Sequence, residues 1–187
     1  MDYDPALARA ILTRTPDLLR TWLPGLPAEW LDAPEGPGAW SPRDVACHLA
    51  DLEGDGWLPR VRIILEHGTA RPFVGIERER FRERFAGAPL GAVLDEFAAA
   101  RARNIEALDG LGLDPALLAT RGRHPVFGEV TLAQLLSTWV VHDLTHLAQI
   151  SRALAAQYRE AVGPWIQNLS VLRARGSADE RAPRAGG

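Results

Sequence analysis

The sequence contains no lysine. All 21 of its basic residues are arginine, which excludes chemistry that needs a lysine amine, such as a Schiff base. Cysteine is nearly absent: the single Cys47 rules out an intramolecular disulfide and a cysteine-rich zinc site. Neither sign of charge dominates. A net charge of -3 gives no electrostatic case for nucleic acid or for an anionic membrane surface as partner. No apolar run approaches the roughly 20 residues that span a bilayer. The amino-terminal MDYDPALARAIL is acidic and lacks basic residues ahead of a long apolar core. That predicts no signal peptide and a reducing, cytoplasmic setting. Alternation of β-branched and polar residues, the signature of strands, is scarce.

What is present is helical. Ala, Leu, Arg and Glu recur at helical spacing through 187 residues, a length that favours one domain with a sizeable core. Asp4-Pro5 opens a first helix. Leu7, Ile11, Leu18, Leu19 and Trp22 are its expected apolar face, and Pro16 is expected to kink or restart it. After a Pro/Gly-rich loop, Ser41, Pro42 and Asp44 form the clearest start signal, flanked by Trp40 and Val45 as a hydrophobic staple. The second helix places Val45, His48, Leu49 and Leu52 on one face. Gly54, Gly56 and Pro59 weaken its continuation into RVRIILEHG, which closes at His67-Gly68. A third helix spans 89–109. Thr131 and Gln134 cap a fourth that runs to about Tyr158, and GPWIQNLSVLR is expected to add a short C-terminal helix. The pattern predicts an all-α four-helix bundle, with residues 67–89 as a long crossover connection. One domain is expected over residues 1–172, with 173–187 a disordered tail.

The stretch VVHDLTHLAQI carries the chemistry. His142 and His146 lie four apart, so their Cβ atoms share one helix face about 5–6 Å apart. Two imidazoles so placed can reach one metal ion, whose Zn–N bonds are about 2.0–2.1 Å long. A third ligand is needed, and His48 is the only other histidine within a strong helix pattern. Three nitrogens leave a coordination position open, as in catalytic sites. The competing reading is a bundle without metal, whose histidines are polar core residues with hydrogen-bond partners on every nitrogen. A zinc protease of the H-E-x-x-H kind is not expected, because Asp143 stands where glutamate would be.

WSPRDVACHLADLE and HDLTHLAQI, in that order and spacing, resemble the DinB-like superfamily, in particular its YfiT-type metal-dependent hydrolases and thiol S-transferases. RHPVFGEVTLAQLL and YREAVGPWIQNL are similar too, so the resemblance covers about residues 5–172. It implies a four-helix bundle and one divalent transition metal ion, zinc or nickel, held by His48, His142 and His146. It further implies a small-molecule substrate, such as a cellular thiol conjugated to an electrophile, and an apolar face for a homodimer. The alternative is a non-catalytic, metal-containing bundle tied to stress or small-ligand binding.

Other residues take secondary places. Asp51, three after His48, is a candidate to orient a ligand or a water. Asp143 is a candidate for positioning a ligand, although pairing with an arginine suits its direction better. Trp139, three before His142, is a candidate pocket wall or a core residue. Gln149, on the face of His142, is read as a core hydrogen-bonding residue to another helix with substrate contact as the alternative, Glu53 as turned away from His48, and His124 as an exposed loop residue with the pocket mouth as the alternative. Cys47 is read as a buried structural thiol, since nothing near it would lower its pKa.

Overall fold

Three of the long helices open on a side-chain cap, as their sequences require. Asp4 accepts from the backbone of Ala6 and Leu7, while Ser41 with Asp44 and Thr131 with Gln134 form reciprocal capping boxes. A computed structural model describes residues 2–172. The order is α1 (Pro5–Trp22), α2 (Ala28–Leu31), α3 (Pro42–Asp55), α4 (Trp57–His67), α5 (Arg80–Arg84), α6 (Leu90–Asp109) and α7 (Pro115–Leu118). A hairpin of β1 (Arg121–His124) and β2 (Gly128–Thr131) follows, then α8 (Leu132–Ala156) and two 3₁₀ turns at Gly163–Asn168 and Ser170–Leu172. Helices α1, α3, α6 and α8 pack into a four-helix bundle, and α4 carries α3 onward past Gly56.

The core divides in two along the bundle. Leu19, Val45, Phe97 and Ile150 belong to one half; Leu12, Ile64, Ile105 and Trp139 belong to the other. Between them lies a buried ionic cluster. Arg101 of α6 faces Asp143 of α8 (Nη1–Oδ2 2.7 Å) and Glu53 of α3 (Nη2–Oε2 2.8 Å). Asn104 Nδ2 completes Glu53 at 2.9 Å from Oε1. Burial pushes the Glu53 carboxyl up, against the pull of Arg101.

Pro16 does not restart the first helix; α1 runs unbroken through it. Proline lacks an N–H, so the carbonyl of Leu12, four residues earlier, loses its helical donor. Arg101 Nη1 takes that place at 2.6 Å. The buried face of α1 is accordingly Ala8, Leu12, Thr15, Pro16 and Leu19, whereas Leu7 and Leu18 are exposed.

The crossover from α4 to α6 is anchored at both ends of its path. Phe73 N donates to Arg123 O (3.0 Å), and Phe81 of α5 is buried against the bundle. The hairpin in the α7–α8 connection was not legible from alternation. It is antiparallel, pairing Arg121 with Thr131 and His124 with Gly128. It closes on α4 at Gly122, where an added Cβ would stand 2.5 Å from Ile64 Cγ1. The expected C-terminal helix is replaced by the two 3₁₀ turns, since Pro164 and Gly163 break an α-helical ladder. The expected tail at 173–187 lies outside the described residues.

Candidate metal centre

His48 stands seven residues past the Ser41 cap on α3, and His142 and His146 stand one turn apart on α8, which packs against α3. Their rings converge. His142 Nε2 is 3.3 Å from His48 Nε2 and 3.1 Å from His146 Nε2, and the three ligand atoms all lie within 4.8 Å of one another. Two nitrogens bonded tetrahedrally to an ion at about 2.05 Å would be about 3.3–3.4 Å apart, so the set fits a divalent transition metal.

The protonation states fit as well. Burial and the neighbouring imidazoles hold His48 down to about 3 and His142 down to about 2. Burial also lowers His146, although Gln149 and Asp143 pull it the other way. Near neutral pH all three rings are neutral and keep a lone pair. His146 Nδ1 lies 3.0 Å from Gln149 Oε1, which only accepts. The proton therefore sits on Nδ1 and the lone pair on Nε2, toward the cluster. His142 Nδ1 is buried without a partner, so the hydrogen-bonded-core reading of these histidines fails at this ring.

Aromatic rings fix the cluster in place. Trp40 packs on His48 (centroids 4.5 Å) and stacks parallel to His146 (5.9 Å, 14°). Phe81 meets the edge of His48 at 5.8 Å, and Trp57 meets His142 at 5.2 Å. The cluster lines a cleft of about 650 Å³ that also carries Leu52, Phe73 and the side chains of Arg60 and Arg78. That is the size of a small-ligand site.

The candidate neighbours of the histidines have other work. Asp51 is buried, but both its oxygens are taken by Arg80 (2.9 and 3.1 Å) and Arg84 (3.0 Å); it ties α5, and with it Phe81, to α3. Asp143 is held by Arg101. Trp139 is fully buried behind Trp57, stacked at 5.5 Å, and Trp57 is the residue that forms the wall. None of the three lines the cleft. Gln149 bonds to His146 within its own helix rather than to another one, and it lines the cleft. His124 lines the cleft, with Nδ1 accepting from the backbone of Val126 and Phe127. Cys47 is buried, and burial pushes its thiol up to about 11. Sequence reasoning missed Trp57, Arg60 and Arg78. Trp57 and Arg60, three apart, had a helical signal; Arg78 had none.

A four-helix bundle with three convergent imidazoles at the floor of a cleft defines a class of metal-site bundles. The chain belongs to the DinB superfamily, whose family model matches residues 11–150. Among solved structures it is similar to YfiT from Bacillus subtilis, described as a probable metal-dependent hydrolase with an unusual four-helix bundle topology. The two share 21% identity over 82% of this chain and 87% of that one, with a TM-score of 0.71. It is also similar to TT2238, a four-helix bundle protein, at 26% identity over 79% of this chain and 98% of that one, with a TM-score of 0.51. No curated protein matches the chain. No helix among the described residues is long and apolar enough to cross a membrane.

Proposed function

We propose that this protein is a metal-dependent enzyme that transfers a low-molecular-weight thiol to an electrophile or hydrolyses a small substrate. His48, His142 and His146 would hold one divalent ion, zinc or nickel, through Nε2. The observation that carries the reading is the convergence of three neutral imidazoles at the floor of a cleft large enough for a substrate. A closed structural site would bury the set without such a cleft, which is why the enzyme reading is preferred to a non-catalytic bundle. The ion, when bound, supplies Lewis acidity that lowers the pKa of a thiol or water. Gln149 holds the His146 tautomer, Trp40 and Trp57 hold the ring planes, and Leu52 and Phe73 line an apolar wall that limits water. Among the described residues the buried Asp51 and Asp143 are held by arginines and do not line the cleft, so neither is assigned a proton transfer.

The test is metal content of untagged protein purified without added metal, for wild type, His48→Ala and His142→Ala. About one transition metal per chain in wild type and little in either variant supports the centre. A metal-free wild type that takes up neither zinc nor nickel ends the proposal. Thiol-transfer and hydrolysis screens on the loaded protein then decide between the two reactions.

A further inference from the structure

Two guanidinium groups on the wall of the three-histidine cleft form no ion pair among the described residues. Arg60 lies on α4 one turn after Trp57, with which it shares the cleft-facing side of that helix. Its Nε is buried and makes no hydrogen bond, and no acidic side chain among the described residues pairs with it. It lines the same cleft as His142 and His124. Arg78, exposed on the crossover, lies over the face of Trp40 at 4.7 Å; it forms no ion pair among the described residues, although its charge also acts on Glu79, the acceptor of Trp40 Nε1. It lines the cleft together with His48 and His146. The guanidinium groups thus approach the cluster from opposite elements. The other two charged residues of the cleft, Glu35 and Arg152, neutralise each other at 2.7 Å.

The charge balance is one-sided. Three neutral imidazoles bring no negative charge, Glu35 is already matched, Arg60 is left over, and Arg78 has within reach of its charge only Glu79, which Arg82 already pairs. A divalent ion would add two more positive charges. Positive charge in a partly desolvated cleft is costly unless an anion answers it. A guanidinium presents donors in a planar fork that matches an oxyanion, and the buried Nε of Arg60 is one such donor without an acceptor.

We propose that this cleft binds a small molecule carrying an oxyanion group, a carboxylate or a phosphate, held by the fork of Arg60, with Arg78 closing the positive wall above Trp40. The ligand then spans from Arg60 to the histidine floor. The proposal deepens the functional reading by naming the substrate's charge class, and it rests on that reading only for the far end of the ligand. The contact at Arg60 needs no metal.

The experiment uses the full chain after chelator treatment, at fixed ionic strength, titrated with succinate, inorganic phosphate and the neutral succinamide. Fluorescence of Trp40 and Trp57 or heat of binding is the readout. Wild type, Arg60→Gln, Arg60→Lys, Arg78→Gln and, as control, the exposed Arg62→Gln are compared. We expect succinate or phosphate to bind, with the preference between them naming the oxyanion, and succinamide to bind far more weakly. Arg60→Gln should lose about 10-fold to 100-fold in oxyanion affinity, the size of a lost charge-assisted bond. Arg60→Lys should fall between, Arg78→Gln should lose less, and Arg62→Gln should match wild type. The proposal is overturned if no oxyanion binds wild type in the millimolar range, if succinamide binds as well as succinate, or if a folded Arg60→Gln binds as wild type does. Should Arg60→Gln not fold, Arg60→Lys decides: unchanged affinity and unchanged oxyanion preference overturn the proposal. Metal content of the same variants separates the two claims. Arg60→Gln should keep its metal while losing the anion. A wild type that binds the anion but never metal sinks the enzyme reading and leaves this one standing.

Discussion

Without a metal ion the protein should be acid-sensitive in a window where most proteins are indifferent. The perturbation is a shift from pH 7 to pH 5 in the presence of a chelator. In the unfolded chain each imidazole takes up a proton near its ordinary value of 6.5. In the folded chain His48 resists protonation down to about 3 and His142 down to about 2, because burial and the adjacent rings disfavour the charge. Between these values the unfolded state binds more protons, so stability is complete above about pH 6.5 and falls as pH falls. At pH 5 the loss is about 2 kcal/mol per ring, or about 4 kcal/mol for the two. His146, lowered for the same reason, adds to it.

Urea unfolding at the two pH values measures the loss directly. His142→Gln supplies the control, since it removes one of the titrating rings. Wild type should lose about 2 kcal/mol more than the variant between pH 7 and pH 5. Saturating zinc should suppress the loss, because an ion that binds only the folded state competes with protons for the same lone pairs. Equal losses in wild type and variant would refute the reasoning. So would a His48 or His142 ring that titrates near 6.5 in the folded, metal-free protein by NMR.

Three further outcomes follow from single contacts. Arg101→Leu strands Glu53 and Asp143 as buried carboxylates and frees the Leu12 carbonyl; it should cost about 3–5 kcal/mol in urea unfolding at pH 7. Gln149→Leu removes the acceptor on His146 Nδ1 and should weaken zinc affinity about 10-fold to 100-fold in a competition titration, with little change in the helical circular dichroism. Gly122→Ala drives a methyl against Ile64 where the hairpin meets α4; thermal unfolding should show a loss of about 1–3 kcal/mol, and an unchanged midpoint would mean the hairpin yields freely.

How much of this was legible depends on how many residues must agree to place a side chain. His142 and His146 needed only the helix repeat, and His48 needed only the cap at Ser41 to set its phase. Each is fixed by its own helix, so sequence spacing found the cluster. The face of α1 was misread because its buried stripe includes Thr15 and Pro16, whose places depend on a carbonyl that Arg101 completes from another helix. Arg101 itself could not be told from Arg103, two residues on, because the difference lies in Glu53 and Asp143 on two further helices. The crossover is the extreme case. In RERFRERF, Arg80 and Arg84 share Asp51, and Arg82 takes Asp44 and Glu79. Arg78 alone forms no ion pair among the described residues and is turned over Trp40, with its charge acting on Glu79. Four arginines in one short run look alike until the bundle supplies acids for three of them. The fourth is told apart by its place: it stacks on Trp40 and lines the same cleft as Arg60.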